Sequence, residues 1–267
     1  MCVKHAGLIV DRENFLDGND LNRLAVREIG AIWVRRFYPA GWADALAARL
    51  IAESEAYVNA PLVRRASEQS AFYETVGDPI ARRAYLTSAL KNLRNARKMC
   101  SPYPHPIDLV RVMLDEVHPG GVRILKHSTG PMFAGLLRAF GPGAGADAHV
   151  DNLLWDDGGE LFPQLGGSGF QQYAGNVYLT VPPHGGELHI WTEEPDRNAH
   201  DRRRDPASSY GLLVDDLGEP PIKIKPGAGD LVMFRSSCIH AVTKCGDWRA
   251  AASFFLISCG AELFSYS

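Results

Sequence analysis

No stretch of this 267-residue chain is apolar over the length that a membrane span needs. The opening MCVKHAGLIVDRENF is broken by Lys4, Asp11, Arg12 and Glu13, so it lacks the unbroken apolar core of a secretory signal. An excess of one charge is lacking too: 28 basic and 31 acidic residues leave a net charge of −3, which recommends neither nucleic acid nor an anionic membrane as partner. The basic clusters Arg35-Arg36, Arg64-Arg65, Arg82-Arg83 and 202–204 read as solvated surface. Cysteine is scarce. Cys2, Cys100, Cys238, Cys245 and Cys259 are odd in number and form no C-x-x-C pair, which argues against a disulfide framework and fits a reducing cytoplasm. No G-x-G-x-x-G or Walker-type loop occurs, so no nucleotide cofactor is implied.

What is present is a 46% hydrophobic chain, long enough for one core with helices attached, and we expect a single domain over 1–267. Its character changes near residue 120. Residues 1–120 are mainly helical in pattern. AGWADALAARLIAESEAYVN puts Trp42, Leu46, Leu50 and Ile51 on one stripe, and DPIARRAYLTSALKNLRNARKMC offers Asp78 as cap and Pro79 as first helical residue. HPIDLVRVMLDEVHPGG ends on a Pro-Gly-Gly stop, and IGAIWVRRFY reads as an early strand. Residues 121–267 read as short strands parted by Gly and Pro: MFAGLLRAF, GNVYLTV, ELHIW, PIKIKP, GDLVMFR and AAASFFLIS. The expected class is α+β, a double-stranded β-helix (jelly roll) core with the N-terminal helices packed outside. Two long polar segments interrupt the strands. Residues 151–175 suggest a substrate cover with GGSGF as its hinge, and 192–220 a flexible excursion.

His149 and Asp151 stand as His-Val-Asp in DAHVDN, and side chains two apart on a strand point the same way. PGAGDLVMFRSSCIHAV brings a turn, an apolar strand and His240. Arg249 follows in GDWRAAASFF. Two imidazoles and one carboxylate cap one face of a ferrous ion and leave the other face to a chelating cosubstrate and dioxygen. Arg249 would be the cation for a dicarboxylate. The competing reading makes His149 a surface residue and His240 a satisfied core histidine. Cys238, two residues before His240, reads as a small buried apolar group. His184 reads as exposed, His189 and Trp191 as packing, and His5, His105, His118, His127 and His200 have no metal-like context.

HVDN, LTVPPHGGELHIW and PGAGDLVMF followed by His and Arg resemble the iron(II)/2-oxoglutarate-dependent oxygenases, over roughly the second half of the chain. Within them the chain is similar to the small-molecule hydroxylases and halogenases of natural-product biosynthesis. The resemblance implies that His149, Asp151 and His240 bind Fe(2+), that Arg249 binds the far carboxylate of 2-oxoglutarate, and that O2 is the oxidant. Arg138, eleven positions before His149, either holds a cosubstrate or substrate carboxylate or is a plain surface arginine. The halogenases lack the metal carboxylate. Asp151 is retained here, which favours hydroxylation of a free small molecule, with release of succinate and CO2. The Arg-x-Ser of many relatives is Arg249-Ala250-Ala251, so hydroxyl assistance must come from elsewhere, with Tyr178 and Asn176 as candidates. Asn152 and Trp155 are candidate substrate contacts. Desaturation or cyclisation on the same scaffold, a non-enzymatic jelly-roll binding protein and a cupin-type metal enzyme remain alternatives.

Overall fold

A computed structural model describes residues 8–55, 69–155, 158–165, 169–215 and 217–267, and the backbone of 63–65. His5 and residues 166–168 of the expected hinge lie outside the described residues. In chain order the elements are β1 (Ile9–Glu13), α1 (Asp20–Ala25), β2 (Ala31–Arg35), α2 (Ala40–Glu55), β3 (Val63–Arg65), α3 (Pro79–Cys100), α4 (Pro106–Val117), β4 (Val122–Ile124), β5 (Lys126–His127), β6 (Gly130–Pro131), β7 (Leu136–Phe140) and β8 (Ala146–His149). Then follow α5 (Gly158–Leu161), β9 (Gln171–Thr180), β10 (Leu188–Ile190), α6 (Arg197–Arg202), β11 (Ile222–Ile224), β12 (Leu231–Arg235), β13 (His240–Val242), β14 (Arg249–Cys259) and β15 (Glu262–Tyr266).

The fold is mixed α/β around a nine-stranded sheet in the order β1-β2-β12-β9-β14-β15-β4, with β7 paired to β14 and β3 paired to β7. A second sheet has the order β11-β10-β13-β8, and β5 pairs with β6 alone. The N-terminal part therefore supplies more than outer helices, because β1, β2 and β3 all join the large sheet. The sequence pattern missed this because β2 is completed by β12, almost 200 residues away: Ala31 to Val34 pair with Leu231 to Phe234.

Period-two alternation divides the large sheet into two faces. Val177, Leu179, Leu231, Met233, Ala250, Ala252, Phe254 and Leu256 join one core cluster with Leu46 and Leu50 of α2 and Val110 and Leu114 of α4. The opposite face sends Ala174, Tyr178, Val232 and Phe234 toward Leu188, Ile190, Ile222 and Ile224 of the small sheet. Local signals set the helix starts. The Asp78 side chain accepts from the N–H of Ile80 and Ala81, with Pro79 beginning α3. His105, which the sequence left without a role, caps α4 by accepting from Ile107 N–H at 3.1 Å. Asp230 in the turn before β12 accepts from Gly227 N–H, Arg36 N–H and Trp33 Nε1–H, which fixes the β12 entry against β2.

Candidate active site

β8 and β13 are antiparallel neighbours, and His149 and His240 stand directly opposite each other in that pairing. Their rings are 4.2 Å apart. Asp151 follows just beyond the end of β8, with Oδ2 3.3 Å from His240 Nε2 and 3.8 Å from His149 Nε2. One donor atom from each of the three lies within 4.8 Å of the others. The far side of each ring is fixed. His149 Nδ1–H donates to the Asp147 carbonyl at 2.6 Å, and His240 Nδ1–H to the Cys238 carbonyl at 3.0 Å. A carbonyl only accepts, so each Nδ1 carries a proton and each Nε2 is the nitrogen turned toward Asp151. The Asp151 backbone is clamped as well: its N–H donates to the Ser236 carbonyl, and its carbonyl accepts from Ser236 Oγ–H and Gln172 Nε2–H.

Electrostatics sharpen this donor set. Burial lowers the His149 pKa to about 4, and the neighbouring His240 adds to the shift, so His149 is neutral at pH 7. Burial works against the Asp151 carboxylate, but His149, His240 and Arg138 outweigh it and hold the pKa below the usual value. Two imidazole nitrogens and one carboxylate oxygen are the donors that suit a ferrous ion with open positions.

The donors border a cavity of about 290 Å³ between the two sheets. Arg249 opens β14 opposite Phe140 and is 1% exposed. Its guanidinium lies 5.0 Å from the ring centres of both Phe140 and Tyr178. Its Nε and Nη1 are buried without a hydrogen-bond partner, and so is the Tyr178 hydroxyl. Burial raises the Tyr178 pKa, so this hydroxyl keeps its proton. Three orphaned polar atoms beside one buried cation are costly alone and are satisfied together by a carboxylate. The turn PPHGG backs this pocket. Gly185 and Gly186 take φ of +69° and +70°, and a Cβ on Gly185 would sit 1.8 Å from the Lys244 carbonyl oxygen. Register also places Tyr178 beside Ala251, where many relatives of the resembled family carry serine.

Arg138 lines the cavity. Its Nε–H donates to Ser253 Oγ at 3.0 Å, and the Ser253 hydroxyl donates to Asn176 Oδ1 at 2.7 Å. Asn152 and Trp155 do not line it. Asn152 Oδ1 accepts from Leu154 N–H, and the Trp155 ring lies 5.4 Å from His200. The expected cover at 151–175 is anchored in the core at several points among the described residues. Leu153, Phe162 and Leu165 are buried, and β9 begins at Gln171. Apolar residues inside a polar stretch anchored it, a pattern too sparse to register as an element. The expected flexible excursion at 192–220 is likewise structured. It contains α6 and an Arg204–Leu212 bridge, and Leu212 is buried with Ala148 and Trp191. This segment delivers Tyr210, absent from the sequence candidates, to the cavity with its ring 5.2 Å from that of His149. Gln172, also missed, is buried and joins the Asp151 carbonyl to the Tyr73 hydroxyl. Neither carries a sequence signal, since an aromatic in a polar loop and a glutamine in a strand are both commonplace. Cys238 is buried, and its Sγ faces Glu194.

Residues 134–257 match the model of the 2OG-Fe(II) oxygenase superfamily. The protein therefore carries a 2OG-Fe(II) oxygenase domain and is an enzyme, a 2-oxoglutarate-dependent non-haem iron dioxygenase whose cofactors are Fe(II) and 2-oxoglutarate. Its fold is similar to that of an N-substituted L-amino acid dioxygenase from Burkholderia ambifaria AMMD, with TM-score 0.65 and 18% identity over 94% of this chain and 91% of that one. The crystal structure of that dioxygenase with alpha-KG gives TM-score 0.65 and 20% identity over the same shares. No curated protein sequence matches the chain. Among the described residues no helix is long and apolar enough to cross a membrane.

Proposed function

We propose that this enzyme hydroxylates an unactivated C–H bond of a free small molecule, on a double-stranded β-helix core formed by the two facing sheets. His149, Asp151 and His240 hold the iron. Arg249 and the Tyr178 hydroxyl hold the far carboxylate of 2-oxoglutarate, with Arg138 and Asn176 completing its surroundings. Bound iron and 2-oxoglutarate supply the oxidative decarboxylation that turns dioxygen into an oxidant of C–H bonds and releases succinate and CO2. The protein's own part is positional. The Asp147 and Cys238 carbonyls fix the orientation of both imidazoles, with Nε2 toward Asp151. The Phe140 and Tyr178 rings keep Arg249 dry, which strengthens its pairing with a carboxylate. Retention of Asp151 favours hydroxylation over halogenation, since this carboxylate would be the metal ligand that a halide would have to replace. With the stretches noted above, it supports a hydroxylase of the natural-product type.

The observation that carries this reading is the pairing of one converged His-Asp-His donor set with one orphaned, buried guanidinium in a single cavity. Anaerobic addition of Fe(II) and 2-oxoglutarate should produce the weak visible charge-transfer band of a chelated keto acid. His149→Ala and His240→Ala should abolish both the band and succinate formation. A full band in either purified variant would refute the ligand assignment.

A further inference from the structure

Polarity in the cavity is segregated along β14. Its cavity-facing residues run Arg249, Ser253, Phe255, and six residues of strand separate the ends by about 20 Å. The orphaned polar atoms of the cavity, among the described residues, all lie at the Arg249 end. The other end is lined by Leu136, Ala174, Phe255 and Tyr73, with Glu74 and Ser267 beside them. Ala174 is opposite Phe255 in the sheet register, and Leu136 is opposite Ser253. The Tyr73 ring meets Phe255 edge-on at 5.1 Å, and Phe255 stacks on Tyr266 at 5.2 Å. The polar tips here are already engaged: Glu74 Oε2 accepts from Ala71 N–H at 3.1 Å, and Ser267 Oγ–H donates to the Ser253 carbonyl at 2.9 Å while accepting from Gly135 N–H. The Tyr73 hydroxyl accepts from Gln172 Nε2–H at 2.7 Å and shares a hydrogen bond with the Tyr266 hydroxyl at 3.0 Å. Through Gln172 this aromatic wall is tied to the Asp151 backbone, so it adjoins the metal donors.

A group entering this end meets mainly methyls and ring faces, and the Tyr73, Glu74 and Ser267 polar atoms named above are already held by the protein. A polar group there would lose its water without compensation, whereas an arene would gain burial and edge-to-face contact. We propose that this lobe is the substrate subsite, that it receives an uncharged aromatic ring, and that the substrate is therefore an arene-bearing small molecule rather than a sugar, polyol or nucleotide phosphate. The assignment rests on the oxygenase reading for its link to catalysis, but not for the ring preference itself.

Indole and 1,2,3-cyclohexanetriol, rings of contrasting polarity, are the probes. Each is titrated calorimetrically into the anaerobic Fe(II)·2-oxoglutarate protein and, separately, into metal-free protein. Indole should bind at least tenfold more tightly than the triol to both. Ala174→Leu, which fills the lobe, should weaken indole at least tenfold while leaving the charge-transfer band intact. Tyr73→Ala should do the same, and Tyr73→Phe, which keeps the ring, should stay within about threefold of the parent. Equal binding of both probes, or indole binding unaffected by Ala174→Leu in protein that retains its band, would overturn the lobe assignment. A missing band in the parent would sink the metal reading alone, and the metal-free titration would still decide the lobe.

Discussion

The two faces of β14 obey different rules. Ala250, Ala252, Phe254 and Leu256 face the helices, where every group is apolar and packed. Arg249, Ser253 and Phe255 face the cavity, where a guanidinium is buried with two of its nitrogens lacking a hydrogen bond. One strand thus carries stability on one side and unsatisfied chemistry on the other. A core that tolerates an orphaned guanidinium is held together by its other face, so the cavity face is free to be arranged for a ligand.

That contrast can be broken by experiment. Leu256→Ala, on the helix face, should lower unfolding free energy by about 2–5 kcal/mol in denaturant titrations, through lost burial and the cavity left behind. It should leave the Fe(II)·2-oxoglutarate band in place. A smaller effect comes from His105, also on the helix side. Burial lowers its pKa to about 4, below its usual 6.5. The unfolded chain therefore takes up a proton that the folded protein refuses. The stability from this group is fully present above pH 6.5 and falls as pH drops from 6.5 toward 4, by about 3 kcal/mol. His105→Asn keeps a capping side chain without the titration, and its pH–stability curve should be flatter than the parent's by that amount. His149 is common to both proteins and cancels in the difference. Identical curves would show that His105 is not held neutral.

The smallest expected change in stability, and the sharpest in function, is on the cavity face. Arg249→Met should leave the metal-free protein as stable as the parent or more so, because a buried unpaired cation is removed. Affinity for 2-oxoglutarate, read from the charge-transfer band, should fall about 100-fold, equivalent to roughly 2.7 kcal/mol. If Arg249→Met unfolds the protein instead, the two faces are not separable and the contrast fails.

Much of the fold was legible locally. Asp78-Pro79 announced α3, Gly120-Gly121 closed α4, and the short runs MFAGLLRAF, GNVYLTV and AAASFFLIS, parted by Gly and Pro, marked β7, β9 and β14. What was not legible depends on partners far along the chain. β1 offers no amphipathic pattern of its own and is specified by β2, which in turn needs β12. Segment 192–220 reads as charged and loose because its anchors are scattered: Leu212 and Leu217 pack with Ala148, Trp191 and Ile239, and Glu194 pairs with Arg235. At the site, the spacing of His149 and Asp151 proposed a pair. Asn152 and Trp155 follow them in sequence, yet the chain turns away after Asp151 and leaves both outside the cavity. Tyr210 and Tyr73 enter it from segments with no motif at all.

Sequence by itself determined which side chains share a face, since strand alternation is a property of the backbone. It also named the chemically unusual residues, His149, Asp151, His240 and Arg249. Tertiary structure alone decided that His240 would stand opposite His149, that Arg249 would be sealed between Phe140 and Tyr178, and that one end of the cavity would be aromatic. Those outcomes depend on register and on contacts between strands nearly a hundred residues apart, and no local propensity encodes them.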